Sequence, residues 1–127
     1  MTGPLRFEGY AAVFGRMDRA GDVIRPGAFA DAGPVPLLWQ HRGAPVGRIV
    51  AIGEDARGLR IAGLVDDPAL AALVDGRALD GLSVGYRALA VRQGARRELL
   101  RVALAEISLV PVPMQPMARI DRIERTG

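Results

Sequence analysis

The chain has no cysteine among its 127 residues, which excludes disulfide scaffolds, thiol nucleophiles and thiolate metal sites. A single histidine leaves too few nitrogen ligands for a zinc site, so neither a metal nor another cofactor is expected. Lysine is missing as well: the 17 basic residues are all arginines, set against 14 acidic ones. The pI near 10.5 therefore overstates a formal charge of only +3. Those arginines form no run longer than Arg96-Arg97, and aromatics make up 5% of the chain. A basic groove interleaved with stacking rings is absent, and no nucleic-acid partner is expected. No apolar run is long enough to cross a bilayer, so no membrane partner is expected either. The start, MTGPLRFEGY, has neither the basic nor the apolar region of a signal peptide, and a soluble cytoplasmic product is expected.

Half of the residues are apolar, enough for one domain over 1–127, with its core at about 4–120 and a short charged tail at 121–127. Residues 4–14 alternate like a strand, and Asp22-Val23-Ile24 is a short pairing segment inside a loop rich in Gly, Pro and Asp. Pro26 followed by GAFADA predicts one or two helical turns ending at Gly33. VPLLWQH at 35–41 reads as a strand with Leu37, Trp39 and His41 on one face. Residues 46–52 and 58–65 form a hairpin. Asp67 as N-cap, Pro68 behind it, Leu70, Leu73 and Val74 on one face and Gly76 just past the end predict a helix. The longest apolar run, ELLRVALAEISLVPVP, reads as a buried central strand, and ARIDRIER as a last strand or short helix. The fold class expected is mostly β (α+β): a compact β-barrel of about six or seven strands with about two small peripheral helices.

Only two serines are present, and Ser83 lies in GLSVG. The glycines on either side allow close approach by backbone or substrate. The pattern satisfies the G-x-S-x-G of α/β-hydrolases, but that elbow requires a helix after the serine and a histidine later in the chain. Here VGYRALAVRQ alternates like a continuing strand, and His41 comes first, so the α/β-hydrolase is rejected. Acyl transfer by a serine hydroxyl needs a base, and His41 is the sole imidazole. The imidazole in turn needs an orienting acceptor, for which Glu106, a carboxylate inside an apolar strand, is the first candidate and Asp80 the second. The competing reading makes His41 a packed neighbour of Trp39, and Glu106 a structural ion pair with Arg87 or Arg119. Ser108, between Ile107 and Leu109, reads as a core hydroxyl.

Across nearly the whole chain, the stretches GYAAVFGRMDRAGDVIRPGAFA, VPLLWQH, PVGRI, GLRIAGLV, ALDGLSVGY and AEISLVPVPMQPMARI resemble, in order and spacing, the tailed-phage prohead (head-maturation) serine protease family. The resemblance implies the β-barrel of herpesvirus assembly proteases, with Ser83 as nucleophile, His41 as general base then acid, and Glu106 as the orienting acid. It implies a serine endopeptidase, without metal or cofactor, that trims scaffold, major capsid protein and itself inside an immature shell in the bacterial cytoplasm. It leaves a homodimer open. The same module occurs in domesticated particles such as gene transfer agents. A non-catalytic assembly module with the same barrel is the alternative. A small-molecule esterase is the third reading, and it requires a deep apolar pocket lined by Trp39 and Tyr86. Two departures stand out: family members often carry a further C-terminal region, and many have Pro-Ala-Asn where this chain has VPMQP.

Overall fold

A computed structural model describes residues 4–125, which form eight strands and one helix. In chain order these are β1 (Leu5–Val13), β2 (Asp22–Ile24), β3 (Pro36–Trp39), β4 (Arg42–Glu54), β5 (Gly58–Val65), α1 (Pro68–Asp75), β6 (Gly81–Gln93), β7 (Arg97–Val110) and β8 (Ile120–Glu124). The alternation read in the sequence sets which way each strand faces. In β1, Leu5, Phe7 and Gly9 turn inward and Arg6, Glu8 and Tyr10 lie at the boundary with solvent. The helix holds no long apolar span, and among the described residues no helix could cross a membrane.

β7 is the strand on which the others are hung. β6 pairs with it antiparallel along its length, from Gly81 opposite Val110 to Gln93 opposite Arg97. Its other edge takes two parallel partners in turn, β2 at residues 97–99 and β3 at 107–109. With strands on both edges and cover on both faces, Glu106 to Val110 are buried without a break, which explains the apolar run there. From β3 the sheet continues through β4, β5 and β1 to β8. The free end of β8 then approaches β6: Gly81 and Arg119 form an isolated bridge, and the Leu82 N–H donates to the Ala118 carbonyl at 2.9 Å. The expected barrel is thus an open sheet that curls until its ends touch at one bridge. The core inside holds Phe7, Leu37, Leu59, Ile61, Leu82, Leu99, Ile107 and Leu109.

Two local expectations are corrected. No helix forms after Pro26; residues 26–31 make successive turns. Gly27 sits at φ +93°, a left-handed value no helix contains, and the Glu54 carboxylate accepts the N–H groups of both Gly27 and Phe29 at 2.8 Å. A tertiary contact has overridden a local propensity. One helix, rather than two, therefore flanks the sheet. The charged segment from 121 onward, expected as a tail, is the outer part of β8 as far as Glu124, which pairs with Arg6 of β1.

The predicted helix is α1, and Asp67 caps it by accepting the Leu70 N–H at 3.0 Å. Its far end differs from expectation: Gly76 keeps φ −79°, and the left-handed residue is Arg77 at φ +63°. A side chain in that conformation costs roughly 1–2 kcal/mol, which glycine avoids. Arg77 is exposed and makes no ion pair among the described residues. Arg77→Gly is therefore expected to stabilise the fold by about 1 kcal/mol, seen as a melting temperature about 3–4 °C higher by circular dichroism. An unchanged or lower melting temperature would refute it.

Candidate active site

His41 is placed by a tight turn. Trp39 at the end of β3 pairs with Arg42 at the start of β4, so only Gln40 and His41 connect the strands. Both have positive φ, +50° and +65°, the mirror-image turn whose twist suits a two-residue hairpin. Asn-Gly is the usual sequence there, and two bulkier residues raise the backbone energy by roughly 1–2 kcal/mol each. The turn is held against β7, with the Gln40 N–H donating to the Leu109 carbonyl at 3.1 Å and the His41 N–H to Ser108 Oγ at 2.9 Å. His41 is accordingly a turn residue. It does not continue the face of Leu37 and Trp39.

Glu106 receives the imidazole. Its Oε1 lies 2.5 Å from His41 Nδ1, and its Oε2 accepts the Ser108 hydroxyl at 2.7 Å. Ser108 thus donates to the carboxylate and accepts from the His41 backbone, closing a ring of hydrogen bonds around the base of the turn. Glu106 is only 9% exposed and Ser108 fully buried, so the ring works in a poorly solvated place where each bond is strong. No arginine takes part: Arg119 pairs with Asp80 at 2.7 Å, and Arg87 makes no ion pair among the described residues. Asp80 is therefore engaged elsewhere and does not face His41.

The glycines of GLSVG have different jobs from those read in the sequence. Gly85 lies opposite Glu106 in the β6–β7 register, and a Cβ on it would sit 2.1 Å from Glu106 Oε1. It makes room for the carboxylate. At Gly81 a Cβ would meet the Val110 carbonyl at 2.4 Å, so that glycine serves the close β6–β7 pairing.

Ser83 stands opposite Ser108 on β6 and is 5% exposed. Its Oγ has no hydrogen-bond partner among the described residues, and neither has His41 Nε2. Both residues line one open cleft of about 360 Å³, whose remaining walls are Gln40, Val110, Pro111, Val112 and Met114. On its other side Ser83 borders a cavity of about 20 Å³ with Asp18, Tyr86 and Gln115 among its walls. Neither Trp39 nor Tyr86 lines the larger cleft, and the cavity that Tyr86 shares with Ser83 is too small for the deep pocket an esterase reading requires. The structure thus brings Ser83, His41 and Glu106 to one place. It adds Ser108, which sequence reasoning set aside as a core hydroxyl. The available signal was the two-residue alternation, which puts Ser108 on the same face as Glu106.

Residues 2–127 match the family model described as Caudovirus prohead serine protease. The prohead protease of Enterobacteria phage HK97 is 36% identical over an alignment of 93 positions, covering 63% of this chain and 41% of that protein. Among solved structures, a KSHV protease bound to a hexapeptide phosphonate inhibitor superimposes with a TM-score of 0.62 at 16% identity, over 92% of this chain and 64% of that one. Varicella-zoster virus protease gives 0.62 at 18% identity, over 93% and 63%. At such identities the likeness is one of fold. The chain spans about two fifths of the phage relative and less than two thirds of either viral protease.

Proposed function

The chain belongs to the caudovirus prohead serine protease family, and from that premise we propose that it is a serine endopeptidase acting through Ser83, His41 and Glu106. The observation that carries this reading is the His41–Glu106 pair, set at 2.5 Å on the wall of the cleft that Ser83 also lines. An ionised Glu106 accepts from Nδ1–H, which fixes the tautomer with its lone pair on Nε2. That nitrogen has no partner among the described residues, and its residue shares the cleft wall with Ser83. In the reaction it takes the hydroxyl proton as Oγ bonds to the scissile carbonyl carbon. It then delivers the proton to the departing amine, and water repeats the sequence on the acyl-enzyme. Apo hydrogen bonds of this kind tighten when substrate binds.

The developing oxyanion needs donors, and the segment after β7 supplies them in this reading. Pro111 and Pro113 have no N–H, so Val112 and Met114 carry the only two between 111 and 114. Both residues line the cleft, and neither N–H donates to another group among the described residues. Donors of this kind each contribute about 10²–10³ in rate.

The substrates proposed are the scaffold and major capsid protein of a phage or phage-like head, together with this chain itself, cut inside the immature shell. Co-expression with the major capsid protein, followed by intact mass spectrometry, tests this. A shortened capsid protein supports it; full-length product in assembled shells would instead favour a non-catalytic assembly module. Ser108→Ala offers a finer check. It removes two hydrogen bonds, one to Glu106 and one from the His41 N–H, so cleavage should slow about tenfold and stability fall by about 2–3 kcal/mol, measured by time course and denaturant titration. An unchanged rate would show that the ring does not support the base.

A further inference from the structure

The wall of the cleft opposite His41 is a segment with three prolines, 111–118, running from β7 to β8. Prolines limit its internal conformations, but they do not fix where it lies relative to Ser83. Two residues do. Gln115 is 5% exposed, and its Oε1 accepts the Val13 N–H at 2.7 Å while its Nε2 donates to the Val13 carbonyl at 2.9 Å and the Arg16 carbonyl at 3.5 Å. A side-chain amide bonded to both backbone groups of one residue imitates a neighbouring strand, here at the end of β1. Arg19 supplies the second hold: its N–H donates to the Met114 carbonyl at 2.9 Å and its Nε to the Pro113 carbonyl at 3.1 Å. The loop carrying Arg19 is itself folded around buried Asp18, whose Oδ1 accepts the N–H groups of Ala20 and Asp22 at 2.9 Å. The segment is therefore tied to the body of the protein through carbonyls and a side chain, while the N–H groups of Val112 and Met114 stay unused.

We propose that Gln115 is a positioning residue, seconded by Arg19: it sets the 111–118 segment so that the Val112 and Met114 N–H groups meet the oxyanion formed on Ser83. The inference rests on the protease reading above. Its physical basis is preorganisation, since donors held in place before reaction need no rearrangement in the transition state. Gln115 touches neither substrate nor the reacting atoms in this account; it acts through the wall it anchors.

A fluorophosphonate probe tests this without knowledge of the cleavage site. Ser83 Oγ bonds to phosphorus, fluoride leaves, the serine proton passes to His41, and the phosphoryl oxygen occupies the oxyanion position. Intact mass gives the rate of single addition for wild type, Gln115→Met and Arg19→Ala, each well below its melting temperature. Gln115→Met should slow labelling about 10²-fold and Arg19→Ala several-fold. The pH at which the rate is half-maximal should not move, because the His41–Glu106 pair is untouched. Equal rates in all three proteins, with only the melting temperature lowered, would mean a merely structural role and overturn the inference. A shifted pH profile would also overturn it, since Gln115 would then be acting on the imidazole. Arg19 is exposed, so its truncation should leave the fold intact; if Gln115→Met fails to fold, Arg19→Ala decides alone: slowing supports the proposal and an unchanged rate sinks it. Failure of folded wild type to label at Ser83 is a different result, and it removes the protease reading with everything built on it.

Discussion

Ser83→Ala is expected to lower cleavage of the capsid protein by about 10⁶-fold, the loss typical of removing a triad serine. The same substitution should change stability by no more than about 0.5 kcal/mol. Ser83 Oγ has no hydrogen-bond partner among the described residues, so its removal leaves no donor or acceptor stranded, and alanine keeps the strand geometry. That contrast between rate and stability is diagnostic. A purely structural serine would give the opposite pattern, a normal rate in a weakened protein. Intact mass spectrometry over time, alongside thermal melting of both proteins, reads the two quantities together. Trimming by the alanine variant at the wild-type rate would show that another group is the nucleophile.

Glu106→Gln should cost about 10⁴-fold in rate. The amide has nearly the shape of the carboxylate, but it carries no charge to stabilise the imidazolium. Its N–H₂ can also donate to Nδ1, which would leave the proton on Nε2, where the nucleophile needs a lone pair. Gly85→Ala reaches the same atoms from the facing strand. The new Cβ would sit 2.1 Å from Glu106 Oε1, and the carboxylate can relieve the clash only by swinging away from His41. A loss on the order of 10³-fold is expected, together with some destabilisation as a buried charge leaves its partner. Rates should be taken per folded molecule, with the folded fraction from denaturant titration. A Gly85→Ala protein as active as wild type would show that the His41–Glu106 contact is dispensable.

The sequence made parts of this site readable and hid others for physical reasons. Ser83 stands out as one of two serines, framed by glycines, and Glu106 as a carboxylate inside an apolar strand, where an unpaired charge would be costly. His41 was identifiable as the lone imidazole, but its turn was not: Gln-His lacks the Asn-Gly signature, and its left-handed geometry is enforced by bonds to Leu109 and Ser108, far along the chain. The parallel pairing of β3 with β7 was hidden likewise, since it joins residues about seventy positions apart with no local trace. Gly85 was read as opening access to the serine, whereas its neighbour across the strand explains it better. The helix expected after Pro26 was a sound local reading, defeated by Glu54. Arg119 was a reasonable partner for Glu106 on charge alone, but Asp80 lies nearer to it.

The dependence of three strands on β7 also bears on when such a site can come into being. During synthesis His41 emerges first and Ser83 second, while Glu106, and the strand that seats the histidine turn, follow last. A nascent chain that has reached residue 96 carries Ser83 and His41 but lacks the strand that seats the histidine turn, so chains stopped there should not react with a fluorophosphonate. In the proposed reading, activity is thereby withheld on the ribosome and arises only as the last long strand is laid into place.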